Sequence, residues 1–287
     1  MRPDAWHLTE DLDDFLAGSG EFLRSRPALH TQQLTVLEKL RTRGPAEHAD
    51  QATLFGRLER AGRVEATFYR LPSRGLAPTA LTPDQADTLA ARLVDRGYTL
   101  PYVTADEDTA TVFAEAWRRH TGVTPAFRTR LHLYRLGTLT PQEPFPEGAG
   151  RLAGEQDHGQ VVHWCREFAA AVDEVLPDSW ADTRFADKHF TFWETPDGTP
   201  VSLAGATARI GGMVRVDPVY TPAHLRGRGY AGAVTAEVTR AALATGATDV
   251  VLFTDPGNPT SNALYQRLGY VRITDWAVYD FPAAPPR

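Results

Sequence analysis

The residues best suited to chemistry lie between Val214 and Ala231, VRVDPVYTPAHLRGRGYA. A β-branched run (Val214, Val216, Val219) ends at Thr221-Pro222, and Arg226-Gly227-Arg228-Gly229 follows. Beyond it Tyr230, Val234, Val238 and Ala241 recur at helical spacing, so the stretch reads as strand, glycine turn, helix. The first amides of a helix lack internal acceptors and sit at the positive end of its dipole, which makes such a turn an anion site. Gly227 and Gly229 permit positive φ and close approach to the backbone, and Arg226 and Arg228 add charge. The chemistry suggested is a cradle for a pyrophosphate. Glycine turns also open helices for geometric reasons alone, and this stretch by itself does not choose between the two.

Gly227 to Gly232 is also a literal G-x-G-x-x-G, the spacing of a dinucleotide site. The acidic residue that should close the following strand falls at Asp249, which instead precedes the strand Val250 to Phe253. Some 60 residues follow Gly227, too few for a doubly wound sheet, so a nicotinamide or flavin reading is set aside.

Downstream, Thr254 to Tyr270 reads as a short capped helix, with Asn258 as N-cap, Pro259 at the first helical position and Gly269 just past the end. Here the sequence resembles the GNAT superfamily of acyl-CoA-dependent N-acyltransferases. His224-Leu225-Arg226-Gly227-Arg228-Gly229 matches its Q/R-x-x-G-x-G/A motif except at the first position, where His stands. Asn258, Tyr265 and Leu268-Gly269-Tyr270 match its second motif, an Asn seven residues before a Tyr in a helix ending L-G-[FY]. The resemblance covers roughly Arg151 to Phe281.

That resemblance implies an α/β fold with a mixed, mostly antiparallel sheet, splayed parallel strands and flanking helices. It implies acetyl-CoA or another acyl-CoA as co-substrate. Its pantetheine arm would pair with Val219, Tyr220 and Thr221, and its pyrophosphate would lie on the amides from Leu225 to Tyr230. His224, Arg226, Arg228, Gly227, Gly229 and Ala231 would border the phosphates, while Asn258 and Ser261 would serve the pantetheine side. Tyr265 matches the general acid that protonates the leaving thiolate. The base is left open, with Asp217 first, Glu194 second and His189 third. The implied reaction is acyl transfer to a primary amine of a small molecule or peptide. The competing reading is a non-catalytic acyl-CoA sensor, against which the retention of both Asn258 and Tyr265 argues.

The rest of the chain must position these residues. The 287 residues suffice for one or two domains with sizeable cores, and 42% hydrophobic with 23% charged content is ordinary for a globular protein. A net charge of −6 argues against a general nucleic-acid or anionic-membrane binder. No apolar run is long enough to span a membrane, and no signal-peptide pattern opens the chain. The lone Cys165 excludes an internal disulfide and falls on the apolar stripe Val161, Trp164, Cys165, Phe168, Val172, where it reads as a buried structural thiol. A cytoplasmic protein, monomeric or homodimeric, is expected. The nine histidines show no ligand spacing, so no metal is implied.

In the first half, short apolar stripes at Leu12 to Leu16 and Val36 to Leu40 read as helical, and Val64 to Arg70 reads as a strand. A helix starts at Thr82-Pro83, a strand is expected over Tyr98 to Val103, a helix over Thr109 to His120 and a strand over Arg128 to Leu136. The second half repeats this order from Val214 on, which suggests two tandem GNAT-like units. The first copy lacks the paired glycines, having only Ser73-Arg74-Gly75, and lacks the Asn-to-Tyr helix motif. The expected organisation is a degenerate GNAT-like domain over 1–139, a proline-rich linker over 140–149 and a catalytic domain over 150–287, whose 282–287 tail is frayed. In that domain a helix is expected over Gln160 to Val175 and a strand through Phe190 to Trp193.

Overall fold

The computed structural model describes residues 5–44, 53–71, 75–141 and 143–282. Pro45, Ser73 and Arg74, and the expected tail past residue 282, lie outside the described residues. The chain divides into two compact units, Met1–Leu133 with Thr274–Arg287, and Tyr134–Ile273.

The first unit runs β1 (Ala5–Thr9), α1 (Leu12–Ser25), α2 (Thr31–Arg43), β2 (Leu54–Arg60), β3 (Arg63–Leu71), β4 (Gly75–Pro78), α3 (Pro83–Asp95), β5 (Tyr102–Asp106), α4 (Glu107–Thr121) and most of β6 (Ala126–Leu136). Strands β1 to β4 pair in sequence as antiparallel neighbours, and β4 lies parallel to β5. Helix α3 starts where the sequence places it, because Thr82 and Gln85 exchange capping bonds and Pro83 occupies the first turn. The strand expected from Tyr98 begins only at Tyr102, since the Tyr98 amide turns back to Leu93 and closes α3. Trp6, Phe68, Leu89, Phe113 and Trp117 form the core of this unit.

The second unit holds β7 (Ala149–Leu152), α5 (His158–Ala171), β8 (Lys188–Glu194), β9 (Pro200–Thr207), β10 (Met213–Tyr220), α6 (Tyr230–Ala244), β11 (Asp249–Thr254), α7 (Pro259–Arg267) and the start of β12 (Tyr270–Asp280). Strands β7 to β10 form an antiparallel meander, and β10 runs parallel to β11. Because side chains alternate across a strand, Phe190, Phe192 and Leu203 pack with Trp164 and Cys165 of α5, while Trp193 and Ala204 join Val234 and Val238 of α6. Helix α5 stops at Ala171, short of the expected Val175. Asp173 there takes φ +53° and the Glu174 amide closes back on Ala169. Trp180–Asp182 forms a single 3₁₀ turn.

The order β4-α3-β5-α4-β6 in the first unit recurs as β10-α6-β11-α7-β12, with a parallel pair opening each copy. Among the described residues no helix is long and apolar enough to cross a membrane.

The last strand is where the units depart from the expected 150–287 domain. Trp276 to Asp280 pair with Asp106 to Tyr102 of β5, and Trp276 Nε1 donates to Thr104 Oγ1 at 2.8 Å. Ala277 and Phe281 are buried in the cores of the first unit. A fragment from Gly150 to Arg287 would therefore carry a strand without its partners and expose Trp276 and Phe281. Size-exclusion chromatography should show it aggregated or oligomeric. A monodisperse, folded fragment would contradict this.

Candidate functional site

In the second unit β10 and β11 pair over three positions, Met213 with Asp249, Val214 with Val250 and Arg215 with Val251. Past Arg215 the two strands part. On its other side β10 stays paired with β9, but the register shifts between Val216 and Val219, so Asp217 and Pro218 form a bulge. The segment from Val216 to Tyr220 thus presents one edge to β9 and the other to the gap.

The gap leads into the glycine turn. A 3₁₀ turn over Ala223–Leu225 uses the Leu225 and Arg226 amides on the carbonyls of Pro222 and Ala223. The run of unpartnered amides therefore begins later than the sequence suggests, at Gly227 in place of Leu225. It extends to Gly232, since the next amide, Ala233, bonds to Gly229. Gly227 and Gly229 adopt φ +78° and +82°. No protein atom lies within 4 Å of where a Gly227 Cβ would stand, so its conformation, not crowding by neighbours, requires glycine. At Gly229 the nearest atoms are those of Pro146, at 3.6 Å, which brings the proline-rich segment to the rim. Arg226 Nε binds the Thr221 carbonyl at 3.0 Å and Arg228 Nη2 reaches the His224 carbonyl at 3.4 Å, so both guanidiniums brace the turn. His224 is exposed, and Leu225 and Tyr230 pack against the core.

Across the gap, Asn258 Oδ1 caps α7 through the Ser261 amide at 3.0 Å. Asn262, which the sequence reading passed over, ties this loop together. Its Nδ2 donates to the Asp255 and Asn258 carbonyls and its Oδ1 accepts from Thr254. One turn on, Tyr265 is 8% exposed and packs edge-on against Tyr270 at 6.0 Å. Tyr270 bonds Thr239 at 2.7 Å, whereas the Tyr265 hydroxyl has no hydrogen-bond partner among the described residues. Burial, reinforced by Tyr270 and by the charge of Asp217, pushes the Tyr265 phenol above its ordinary range, so it stays protonated.

The acidic candidates separate. Asp217 is held by Lys188 Nζ and Arg184 Nη1, both on Oδ2, and Arg184 also grips Glu174 at 2.7 Å. Burial alone would raise the Asp217 carboxyl, but Arg184, Lys188 and Arg215 outweigh it and hold it well below the usual carboxylate range. A carboxylate so stabilised is a weak base, which removes the reason for choosing Asp217 as proton acceptor. Glu194 accepts from Arg151 at 2.7 Å and stands at the far end of β8, six residues from Lys188 and so about 20 Å away. His189 is exposed and, next to Lys188 in the strand, faces the opposite side of the sheet. Neither Glu194 nor His189 joins Asp217.

Other contacts are structural. Tyr220 donates to Glu167 at 3.0 Å, and Ser202 Oγ bonds the Tyr220 carbonyl and the Thr221 hydroxyl. Burial pushes the Cys165 thiol up to about 12, which makes it inert. A cavity of about 210 Å³ opens at the β7–β8 edge beside His158, Trp180 and His189, and Tyr265 does not line it. Among the described residues no three His, Cys, Asp or Glu side chains converge as metal ligands.

The first unit repeats the element order with several of these donors and acceptors engaged. Strands β4 and β5 pair at Leu76 and Val103 alone, but Gln33 Nε2 binds the Pro78 carbonyl at 2.9 Å, and Gln32 spans Tyr69 and Thr104. At the start of α3, the Leu81 amide binds Thr109 and the capping box consumes the amides of Thr82 and Gln85. The amides of Leu81, Thr82 and Gln85 are thereby taken up inside the unit.

The order strand, helix, parallel strand, helix, strand, present twice in one chain, decides the fold. This is a tandem GNAT fold. Residues 204–278 match the family model described as FR47-like protein. Among solved structures, the chain is similar to a GCN5-related N-acetyltransferase from Kribbella flavida, with a TM-score of 0.53 and 19% identity over 76% of this chain and 87% of that one. A GCN5-related N-acetyltransferase from Sphaerobacter thermophilus gives 0.56 and 15% over 97% and 96%. A tandem GNAT protein from the clavulanic acid biosynthesis pathway gives 0.57 and 12% over 98% and 100%. No curated protein matches the chain.

In this GNAT fold the bulge on β10 rests on Gly205 of β9. A Cβ there would stand 2.7 Å from the Asp217 carbonyl and 2.8 Å from the Phe190 ring. Gly205→Ala should therefore destabilise the protein by about 1–3 kcal/mol in urea unfolding. An unchanged midpoint would show that the two strands give way at this point.

Proposed function

We propose that the protein is an acyl-CoA-dependent N-acyltransferase that moves an acetyl group from acetyl-CoA to a primary amine of a small molecule or peptide. The observation that carries this reading is the presence of three features in one unit. These are the open edge of β10, the unpartnered amides from Gly227 to Gly232, and the buried, unpartnered phenol of Tyr265. The donors fit the proposed co-substrate. The six amides and the positive end of α6 suit a pyrophosphate, with no side chain on Gly227 or Gly229 to obstruct it. The edge through Val219, Tyr220 and Thr221 suits the amide-bearing pantetheine arm, and Asn258 and Ser261 at the start of α7 would serve it.

Acetyl-CoA supplies a thioester carbon for the amine nitrogen to attack, so that a C–N bond forms as the C–S bond breaks. Tyr265 donates its phenolic proton to the departing sulfur and is reprotonated from solvent. The amine's proton leaves to water, because Asp217 is held too acidic to retain it. A phenol raised by burial is a weak acid in water, but a thiolate released into the same dry space is destabilised by the same burial, which narrows the gap.

Two variants test the reading. Gly229→Asp would force a side chain into a φ of +82° and place a negative charge at the anion site, so CoA affinity should be lost. Calorimetry that finds wild-type affinity in the folded variant refutes the cradle. Tyr265→Phe should keep acetyl-CoA binding and lower turnover about tenfold to a thousandfold, the range for one general acid or just below it. Equal rates of CoA release with a good acceptor would leave Tyr265 as a packing residue, and binding without release in the wild type would favour a sensor.

A further inference from the structure

Lys188 is one of two lysines in the chain, the other being Lys39. It falls in phase with Phe190 and Phe192 on the buried face of β8, and its side chain is 2% exposed. Its ammonium donates to Oδ2 of Asp217, the same oxygen that Arg184 holds. The other oxygen, Oδ1, has no hydrogen-bond partner among the described residues, and the Asp217 side chain is 19% exposed. This carboxylate sits in the bulge where β10 leaves β11, and its charge is felt at Tyr265. One oxygen is therefore spoken for, and the other is unengaged on a strand that borders the gap.

On the reading of this site as an acyltransferase, we propose that the acceptor's ammonium docks on Oδ1 of Asp217 and that Lys188, gripping Oδ2, is a positioning residue whose protonation opposes that docking. The argument is one of charge. Around Lys188 stand Arg215 and Asp217 of β10, Arg184 ahead of β8 with its partner Glu174, and the uncharged Cys165 of α5. With Lys188 protonated, three cations face two carboxylates in a largely buried cluster. A fourth cation on Oδ1 would raise the surplus to two, whereas loss of one proton from Lys188 to solvent restores it to one. Burial is already pushing this ammonium down to about 7, and Arg215 and Arg184 add to the push against the pull of Asp217. The guanidiniums cannot give up a proton, so Lys188 is the member of the cluster that yields. Linkage then works in both directions, and a docked amine lowers the Lys188 pKa as much as protonated Lys188 weakens docking.

The scarcity of lysine makes the test direct. In ¹⁵N-lysine-labelled protein, with Lys39→Arg to leave a single signal, the Lys188 side chain should titrate near pH 7. Saturation with the primary amine that releases CoA fastest in a panel of ethanolamine, putrescine, glycinamide and 2-phenylethylamine should move that midpoint lower. In steady-state assays the acceptor KM should fall about tenfold from pH 6 to pH 8, a decade for each unit below the midpoint. Lys188→Met should hold KM low and flat over this range, and Lys188→Arg should hold it high and flat, with kcat changed less than KM in both. A merely structural lysine would weaken both variants alike. A midpoint above about 9, a midpoint unmoved by the amine, or a wild-type KM profile in Lys188→Met overturns the proposal. Absence of CoA release from the wild type with every amine overturns instead the acyltransferase reading on which it rests.

Discussion

The parting of β10 from β11 is the constraint on which the second unit is built. A β-strand inside a sheet normally satisfies its backbone on both sides, and leaving one side open costs hydrogen bonds that water or a ligand must supply. Here three paired rungs are followed by separation, in the middle of a sheet and not at its edge. The bulge at Asp217 and Pro218 bends β10, Gly205 leaves room for the bend, and the Arg184–Lys188–Asp217 bridge fastens it from the α5 side. On the α6 side the glycine turn and α7 carry the other elements that border the opening. Each depends on the strands staying apart.

The two units show how one scaffold can hold or lose a site without changing its element order. In the second, the amides ahead of α6 are left free and the strand edge is bare. In the first, Gln33 covers the corresponding edge, and Thr82, Gln85 and Thr109 consume the amides ahead of α3. The difference is made by side chains that reach back to the backbone. A capping box stabilises a helix start by about 0.5–2 kcal/mol, so the first unit gains internally what the second leaves open.

Local features of the site were legible in the sequence because they are set by residues close together in the chain. Gly227 and Gly229, the Asn258 cap and Tyr265 belong to turns and caps whose geometry depends on a few neighbours. The Asp217 environment was not legible, because its partners Arg184 and Lys188 lie some 30 residues earlier and meet it only once β8, β9 and β10 are in register. One signal was available, a lysine in phase with two buried aromatics in an arginine-rich chain. The free amide run starts later than the glycine pattern implies for a related reason. A 3₁₀ turn at Ala223 takes up two amides that the G-x-G pattern leaves unassigned.

The sequence placement of β12 has a consequence for the order in which the protein is made. Residues 134–273 are inserted within the first unit, whose last contribution comes from 274–287. During synthesis the residues of the second unit leave the ribosome ahead of Trp276, Ala277 and Phe281. The first unit begins first yet finishes last, with the exposed edge of β5 and a gap in its core until then. The unit that carries the candidate site therefore has all its residues out first, and the final strand acts as the closing stitch of a fold begun some 270 residues before.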